Sequence, residues 1–313
     1  MSGNVKQLEL KGHSGCKVYL MVPEKGRTFV RKISKGAEYN SRLKKQCKRQ
    51  NGYQSKYASV PQILAEGQSG DLYYFDMEYV LGDLVSSLLK TCSVDKIGGI
   101  TDFLCGIIQE NKELESSDNG AAKIIEAKIK DLYDNMGQLK KEGAVKKAFK
   151  ILDAHDWSNI KRSPSHGDLT LENVIHNPHN NTYYLIDFLD AFYDTWVSDA
   201  SKALLDLLVG WSFRSDFIRS DVMSENTKVR VLLLSKQFIS KLDGIIKNRR
   251  VWEDVYAYLL LDLLRVMPYS KEKEVLKFLS KSLDAIVNSI KRGGLYDHIT
   301  NSLCWPVFSL SWC

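Results

Sequence analysis

The sequence contains no long uninterrupted apolar run, which excludes an ordinary membrane-spanning helix of about 18 residues or more. Its six cysteines are scattered, and no two of them have the spacing of a metal site. At 313 residues the chain is also too long to be a small disulfide-stapled scaffold, so reduced thiols are expected. Residues 1–11 are polar, so no signal peptide is expected. These absences predict a soluble, cytoplasmic protein with no membrane span.

Acidic residues are scarce in one region, residues 25–56, where Glu38 is the single acid among many lysines and arginines. The net charge of the whole chain is +6, so this region holds much of the excess. Such a cluster attracts polyphosphates, nucleic acid or an anionic surface, although a solvated helix face has the same composition. The sequence contains no recognisable nucleic-acid module, so a nucleic-acid partner is not expected. Oligomeric state stays open.

A short polar loop between apolar segments contains His166, Gly167, Asp168 and Asn173, and Asp187 follows later at the end of an apolar strand. Magnesium-dependent phosphoryl transfer needs one carboxylate beside the attacking hydroxyl, and a second carboxylate with an amide oxygen on the metal. We therefore predict that Asp168 is the base and that Asn173 and Asp187 hold Mg²⁺. A capped turn followed by an unrelated strand is the alternative interpretation.

The segments 166–173 and 185–188 resemble the signature of the aminoglycoside/choline-type phosphotransferases, which are small-molecule kinases with a protein-kinase-like fold. The resemblance implies an α+β, bilobal structure, with a small antiparallel-sheet N-terminal lobe carrying one helix and a large, mainly helical C-terminal lobe. It also implies that His166 and Asp199 support the catalytic loop. A helix N-cap is the other interpretation of Asp199. Leu189 departs from the pattern, because related kinases often have glycine there.

The nucleotide site is expected in the N-terminal part, where residues 7–10, 16–22 and 28–33 have strand patterns. Val30 and Lys32 share one face of the third strand because side chains alternate along a strand. The resemblance implies that Val30 packs on adenine and Lys32 binds the phosphates.

The acidic or amide partner of that lysine is left open among Glu38, Gln46 and Gln50, on or near a predicted helix over residues 36–50. Gly15, in a short turn after the first strand, is a candidate for covering the phosphates with backbone amides.

Residues 60–64 and 72–77 are two further predicted strands, separated by the segment 67–70. The second runs into a string that resembles the hinge between kinase lobes. By that resemblance Met77 lies at the back of the adenine pocket, and the backbone of Glu78 and Val80 pairs with the adenine edge. Residues 1–80 are thus predicted to be a nucleotide-binding lobe and residues 81–313 a helical lobe with the catalytic loop and acceptor site.

The C-terminal part has helical periodicity, bounded by glycines. The predicted helices span residues 97–108, 121–136, 144–152, 229–246, 251–266 and 271–290. The apolar segment 304–312 is expected to dock on this helical lobe.

The predicted activity is the transfer of the γ-phosphate of ATP, with GTP as a possible donor, to a hydroxyl of a small molecule. Mg²⁺ is the expected cofactor. Part of the motif resembles family members linked to bacterial surface-polysaccharide synthesis, which favours a sugar hydroxyl, with an amino alcohol as the other acceptor. Two alternatives remain, namely an atypical protein kinase and a nucleotide-binding pseudokinase scaffold.

Overall fold

The computed structural model describes residues 5–10, 16–118, 120–216 and 223–291. Gly15 and the apolar segment 304–312 lie outside the described residues, so the predictions for them stay predictions. The chain forms two compact units, the first comprising Met1–Leu84 with Asn173–Asp190 and the second Val85–Glu172 with Ala191–Cys313. The lobe boundary after residue 80 also stays a prediction.

The first unit is built on a five-stranded antiparallel sheet with the strand order β1-β2-β3-β5-β4. The strands are β1 (Val5–Leu10), β2 (Cys16–Pro23), β3 (Phe29–Ser34), β4 (Ile63–Ser69) and β5 (Leu72–Glu78). One helix, α1 (Asn40–Gly52), packs on the sheet through residues three or four apart, namely Leu43, Gln46, Cys47 and Gln50. The small antiparallel lobe with one helix is confirmed.

The position of β4 differs from the prediction for residues 60–64. The strand begins at Ile63 and continues through Gly67, which was expected to interrupt it. Because β4 is the edge strand, its glycine is tolerated. A Cβ on Gly67 would also lie only 2.9 Å from the Tyr74 hydroxyl, so this position favours a residue without a side chain.

A second, three-stranded sheet completes the first unit and was not predicted as a sheet. It contains β6 (Asp83–Leu84), β7 (Val174–Asn177) and β8 (Thr182–Leu185), in that order. Gly82, just before β6, has a φ of 151°, and a Cβ there would lie 2.3 Å from the carbonyl oxygen of His176. Only glycine fits this approach of two backbones.

The second unit is mainly helical, which confirms the predicted fold class. Its described helices are α2 (Val85–Thr91), α3 (Asp95–Glu113), α4 (Ala121–Asn135), α5 (Gly143–Ala154), α6 (Trp196–Leu204), α7 (Glu225–Ile246), α8 (Arg249–Val266) and α9 (Lys273–Lys291). All six predicted helices are present, with ends that differ by a few residues. Within the described ranges, every helix is too short or too polar to cross a membrane.

Helix α6 continues into a π-helical turn, Leu205–Val209, which ends at Gly210 in the left-handed conformation (φ 76°). Helices α6 and α8 pack against each other, and α3 also packs on α6. Helix α6 is buried along its whole length. Polar side chains on such a helix must find partners inside the protein, and these partners form part of the site described next.

Candidate active site

The predicted catalytic loop is a tight, internally bonded segment of the second unit. Gly167 has a φ of 83°, which turns the backbone immediately before Asp168. The Asp168 amide donates to Nδ1 of His166 at 3.2 Å, and its carbonyl accepts the amide of Thr170 at 2.7 Å. The carboxylate of Asp168 is partly exposed, with 31% of the side chain accessible. A carboxylate on such a loop is both ordered and accessible to a small molecule.

Asp199 binds the backbone of this loop from α6. Its two carboxylate oxygens accept the amides of His166 and Gly167, each at 2.8 Å, and the side chain is fully buried. The helix itself begins at Trp196, with Thr195 as its N-cap, so the N-cap interpretation of Asp199 is wrong. The supporting role that the family resemblance implied for Asp199 stays a proposal, with these two hydrogen bonds as its basis.

A second buried acid, Asp206, binds the same loop further along, and sequence reasoning missed it. Its carboxylate accepts the backbone amide of Leu171, and also the amide and hydroxyl of Ser212 at 2.7 Å each. Burial, together with the nearby charge of Glu172, raises the pKa of Asp206 to about 7. Its sequence signal was an acid in the middle of an apolar helix, at residues 204–208.

Lys202 is the other residue of the candidate site that sequence reasoning missed. Its ammonium lies 3.1 Å from Oδ1 of Asp168 and 3.5 Å from Oδ1 of Asp262 on α8. Lys202 follows Asp199 by three residues, so the two side chains lie on one face of α6. One helix face therefore contacts both the backbone of the catalytic loop and the side chain of Asp168. A lone lysine in a buried apolar helix was the available signal.

The predicted metal ligands, Asn173 and Asp187, both belong to the first unit. The carbonyl of Asn173 accepts the amide of Ile186 at 3.0 Å, at the end of the β7–β8 pair, so the hairpin brings Asn173 beside the residue preceding Asp187. Asp187 has a φ of 60°, which is uncommon for a residue other than glycine and typical of functional sites.

A carboxylate and an amide oxygen are hard ligands, and 40% of the Asp187 side chain is exposed, so this pair fits a magnesium ion completed by phosphate and water. The described residues contain no cluster of three or more His, Cys, Asp or Glu side chains placed for a metal.

Lys32 forms an ion pair with Asp187 in the first unit, with 2.7 Å between Nζ and Oδ1. Burial opposes protonation of this lysine, but the charge and hydrogen bond of Asp187 outweigh it, so the pKa of Lys32 is raised. Of the partners left open in the sequence, Gln50 donates to the carbonyl of Pro61 at 2.8 Å, and Glu38 is exposed. The observed partner of Lys32 is thus the predicted metal ligand.

The other predicted nucleotide residues also lie in the first unit. Val30 is buried on the same face of β3 as Lys32, as the alternation predicted, and it pairs in register with Met77 on β5. The amide of Glu78 donates to the carbonyl of Gln62 at 2.9 Å, while Val80 is buried. Their roles in adenine binding stay proposals.

The comparison with protein families is decisive for residues 10–221, which match the model of the phosphotransferase enzyme family. The match covers more than half of the chain and includes the catalytic loop, Asp187 and Asp199. The chain belongs to this family. The phosphotransferase is accordingly a small-molecule kinase, as the catalytic-loop resemblance predicted. No match was found among curated proteins.

Solved structures confirm the fold of the phosphotransferase. A thermostable mutant of aminoglycoside phosphotransferase APH(4)-Ia, in a ternary complex with ADP and hygromycin B, is similar with a TM-score of 0.59 and 15% identity, covering 91% of this chain and 94% of that chain. A putative fructosamine-3-kinase from Haemophilus somnus 129PT has a TM-score of 0.56 and 15% identity, with coverages of 91% and 92%. The streptomycin–ATP complex of APH(2")-IIa has a TM-score of 0.56 and 12% identity, with coverages of 90% and 91%.

Proposed function

We propose that this phosphotransferase moves the γ-phosphate of ATP, in the presence of Mg²⁺, to a hydroxyl of a sugar or amino alcohol. The observation that carries the proposal is a complete set of polar groups for this reaction. Lys32, Asn173 and Asp187 form one part in the first unit, and Asp168 with its supporting Asp199 forms the other in the second unit. A set of this composition serves phosphoryl transfer, because charge stabilisation and positioning provide most of the catalysis.

Each residue has a proposed role. Asp168 accepts the proton of the acceptor hydroxyl, and the ammonium of Lys32 binds the nucleotide phosphates. Asn173 and Asp187 hold Mg²⁺, which when bound neutralises phosphate charge. The backbone of Glu78 and Val80 binds the adenine edge. His166 and Asp199 keep the catalytic loop in position.

Complexes of the similar proteins with ADP and ATP support a nucleotide donor for this chain as well. GTP is the second candidate donor, because backbone groups in the proposed hinge leave the base identity open. The family and its usual substrates also favour a cytoplasmic location, where the donor nucleotide is abundant.

Of the two proposed acceptor classes, the surroundings of Asp168 favour the sugar over the amino alcohol. Lys202 lies beside Asp168, and Arg265 lies beside Asp262, so cations accompany these acids in the second unit. These cations offset the attraction that Asp168 and Asp262 would exert on an ammonium group, such as that of an amino alcohol. A polycationic antibiotic of the kind bound by the similar structures therefore fits less well than a neutral sugar hydroxyl.

The aromatic residues near the loop also argue against a cage for a quaternary ammonium. Trp196 is buried and its indole N–H donates to Glu115. Tyr193 is buried with Arg162 against its ring at 4.8 Å. A cation–π cage needs accessible ring faces, which these two residues do not offer to a ligand.

A screen of acceptors tests the proposed function. The purified protein with Mg²⁺ and either ATP or GTP is incubated with neutral sugars, acidic sugars, amino alcohols, aminoglycosides or a generic protein, and nucleoside diphosphate release and phosphorylated product are measured. Product from a neutral sugar or amino alcohol supports the proposal. Rapid labelling of the protein would indicate a protein kinase, and tight nucleotide binding without transfer to any acceptor would indicate a pseudokinase.

A further inference from the structure

Lys202 is a buried lysine of the second unit that lies beside the proposed base, Asp168. Only 9% of its side chain is exposed, yet it contacts two carboxylates, Asp168 at 3.1 Å and Asp262 at 3.5 Å. The two acids differ in their exposure to solvent. The Asp168 side chain is 31% exposed, whereas that of Asp262 is 1% exposed. Lys202 thus joins a fixed buried acid to an accessible one.

Asp262 is held in place independently of the lysine. Its Oδ2 accepts the hydroxyl of Ser201 at 2.7 Å, and its Oδ1 accepts Nη1 of Arg265 at 3.2 Å. Arg265 in turn lies over the ring of Phe192, with 5.0 Å from the guanidinium carbon to the ring centroid. The acid therefore provides a fixed anchor for the ammonium.

The ammonium of Lys202 stays protonated in this setting. Burial by itself lowers the pKa of a lysine, but the charges of Asp262 and then Asp168 outweigh burial and the opposing charge of Arg265, so the pKa of Lys202 is raised. The raised pKa keeps the ammonium protonated at neutral pH, where it attracts the Asp168 carboxylate 3.1 Å away.

We propose that Lys202 is a positioning residue for phosphoryl transfer: anchored on Asp262, it holds Oδ1 of Asp168 and so sets the orientation of the base before the acceptor binds. This inference rests on the proposed function, in which Asp168 takes the hydroxyl proton. Orientation of a catalytic group within a fraction of an ångström has a large effect on rate, and a misplacement of about 1 Å can cost roughly 100-fold. The ammonium acts through Asp168 and does not contact the nucleotide in this assignment.

The test compares Lys202→Met, Lys202→Arg and the double variant Lys202→Met/Asp262→Asn, with the acceptor found in the screen described above. Lys202→Met should lower kcat by about 10- to 100-fold and leave the KM for ATP within about twofold of wild type, because base orientation affects the chemical step. Lys202→Arg should recover part of kcat, because it keeps the charge. Lys241→Met is the matched control, because it removes an exposed lysine of the same unit that pairs with Asp102 at 2.6 Å.

The double variant separates positioning from stability. Lys202→Met leaves Asp262 buried with less compensation, so its thermal midpoint should fall, whereas the added Asp262→Asn should restore much of that midpoint. If the double variant recovers stability while kcat stays low, the positioning role is supported. Recovery of kcat together with stability, or a folded Lys202→Met with wild-type kcat, would overturn it. Failure of both charge-removed variants to fold would also overturn it, because Lys202 would then be a structural residue.

The proposed function can fail separately from this inference. Asp168→Asn is measured in parallel, and turnover near wild type in that variant would remove Asp168 as the base. An inactive Asp168→Asn combined with a fully active, folded Lys202→Met would retain the base and reject only the role of the lysine.

Discussion

Each of the two units contains a buried lysine paired with a partly exposed carboxylate, and the two pairs differ in one respect. In the first unit Lys32 binds Asp187, whereas in the second Lys202 binds Asp168. The lysines are 3% and 9% exposed, so each has lost most of its hydration. Lys202 also pairs with the buried acid Asp262, whereas among the described residues Lys32 pairs only with Asp187.

The difference shows how the same pair of residue types can serve two tasks. A lysine whose partner is a single exposed acid can exchange that acid for phosphate oxygens when a nucleotide binds. A lysine that also binds a buried acid keeps its position, because its departure would leave the buried carboxylate of Asp262 with less charge compensation. We therefore expect Lys32 to bind ligand and Lys202 to hold protein groups in place.

The largest expected effect follows from removal of the acid in the first pair. Asp187→Ala eliminates the proposed carboxylate ligand of Mg²⁺, so turnover should fall by about 10³-fold or more and metal-dependent ATP binding should weaken. Steady-state kinetics and titration with Mg²⁺-ATP measure both effects. Asp190→Ala is the control, because Asp190 pairs with the exposed Lys45 at 3.4 Å. Unchanged Mg²⁺-ATP affinity in Asp187→Ala would contradict the ligand assignment.

Removal of the acid in the second pair should affect chemistry without affecting nucleotide binding. Asp168→Asn keeps the shape of the side chain and loses the base, so kcat should fall by about 10²- to 10⁴-fold. The affinity for Mg²⁺-ATP should change little, and calorimetric titration checks this directly. A comparable loss of ATP affinity would mean that Asp168 is not primarily a base.

Replacing each lysine with methionine should reduce the free energy of unfolding by different amounts in the two pairs. Lys202→Met leaves the buried Asp262 partly uncompensated, so we expect a loss of about 3 kcal/mol, the scale for breaking a buried pair. Lys32→Met leaves behind an acid that is 40% exposed and can be hydrated, so its free energy of unfolding should change much less. Chemical denaturation of both variants measures the difference, and equal losses would refute the distinction.

Nucleotide affinity should show the reverse order, with a larger loss for Lys32→Met than for Lys202→Met. Lys32→Met removes the proposed phosphate contact, a charged hydrogen bond of about 1.5–3 kcal/mol, so ATP should bind about 10- to 100-fold more weakly. Adenosine affinity should be retained, because the hinge backbone reads the base. Lys45→Met, which removes a lysine that is 63% exposed, is the matched control and should have almost no effect. Equal weakening of adenosine and ATP would indicate damage to the fold.

The smallest expected effect concerns pH and the second acid under the catalytic loop. The folded-state pKa of Asp206, about 7, is raised above its ordinary value because of burial and the charge of Glu172. The protonated form is therefore favoured by folding, and this contribution to stability is present at low pH and lost as pH rises through about 7. Asp206→Asn cannot titrate, so the stability of wild type relative to this variant should decline between about pH 5 and pH 8. Thermal midpoints measured across that range check the sign, and a constant difference would contradict it.

Sequence reasoning identified the residues that belong to local motifs. The loop around Asp168, the strand that ends near Asp187 and the alternation of Val30 with Lys32 are short patterns that the chain displays directly. The helices of the second unit were also predictable, because their apolar residues recur with helical period. The start of β4 was predicted three residues too early, the sheet formed by β6, β7 and β8 was not predicted, and the partner of Lys32 had been left open. The pairing of β6 with β7 and the contact of Lys32 with Asp187 join segments far apart in the chain, whereas β4 pairs with the next strand, β5.

The sequence by itself determined the fold class, the family and the polar groups available for phosphoryl transfer, because these are encoded in local spacing and periodicity. Tertiary structure alone decided which acid each lysine binds. Asp187 lies 155 residues after Lys32, and Asp262 lies 60 residues after Lys202 on another helix. No local pattern connects such positions. Burial makes each pairing necessary, since a lysine removed from water must find a carboxylate, and only the packed chain determines which carboxylate is within reach.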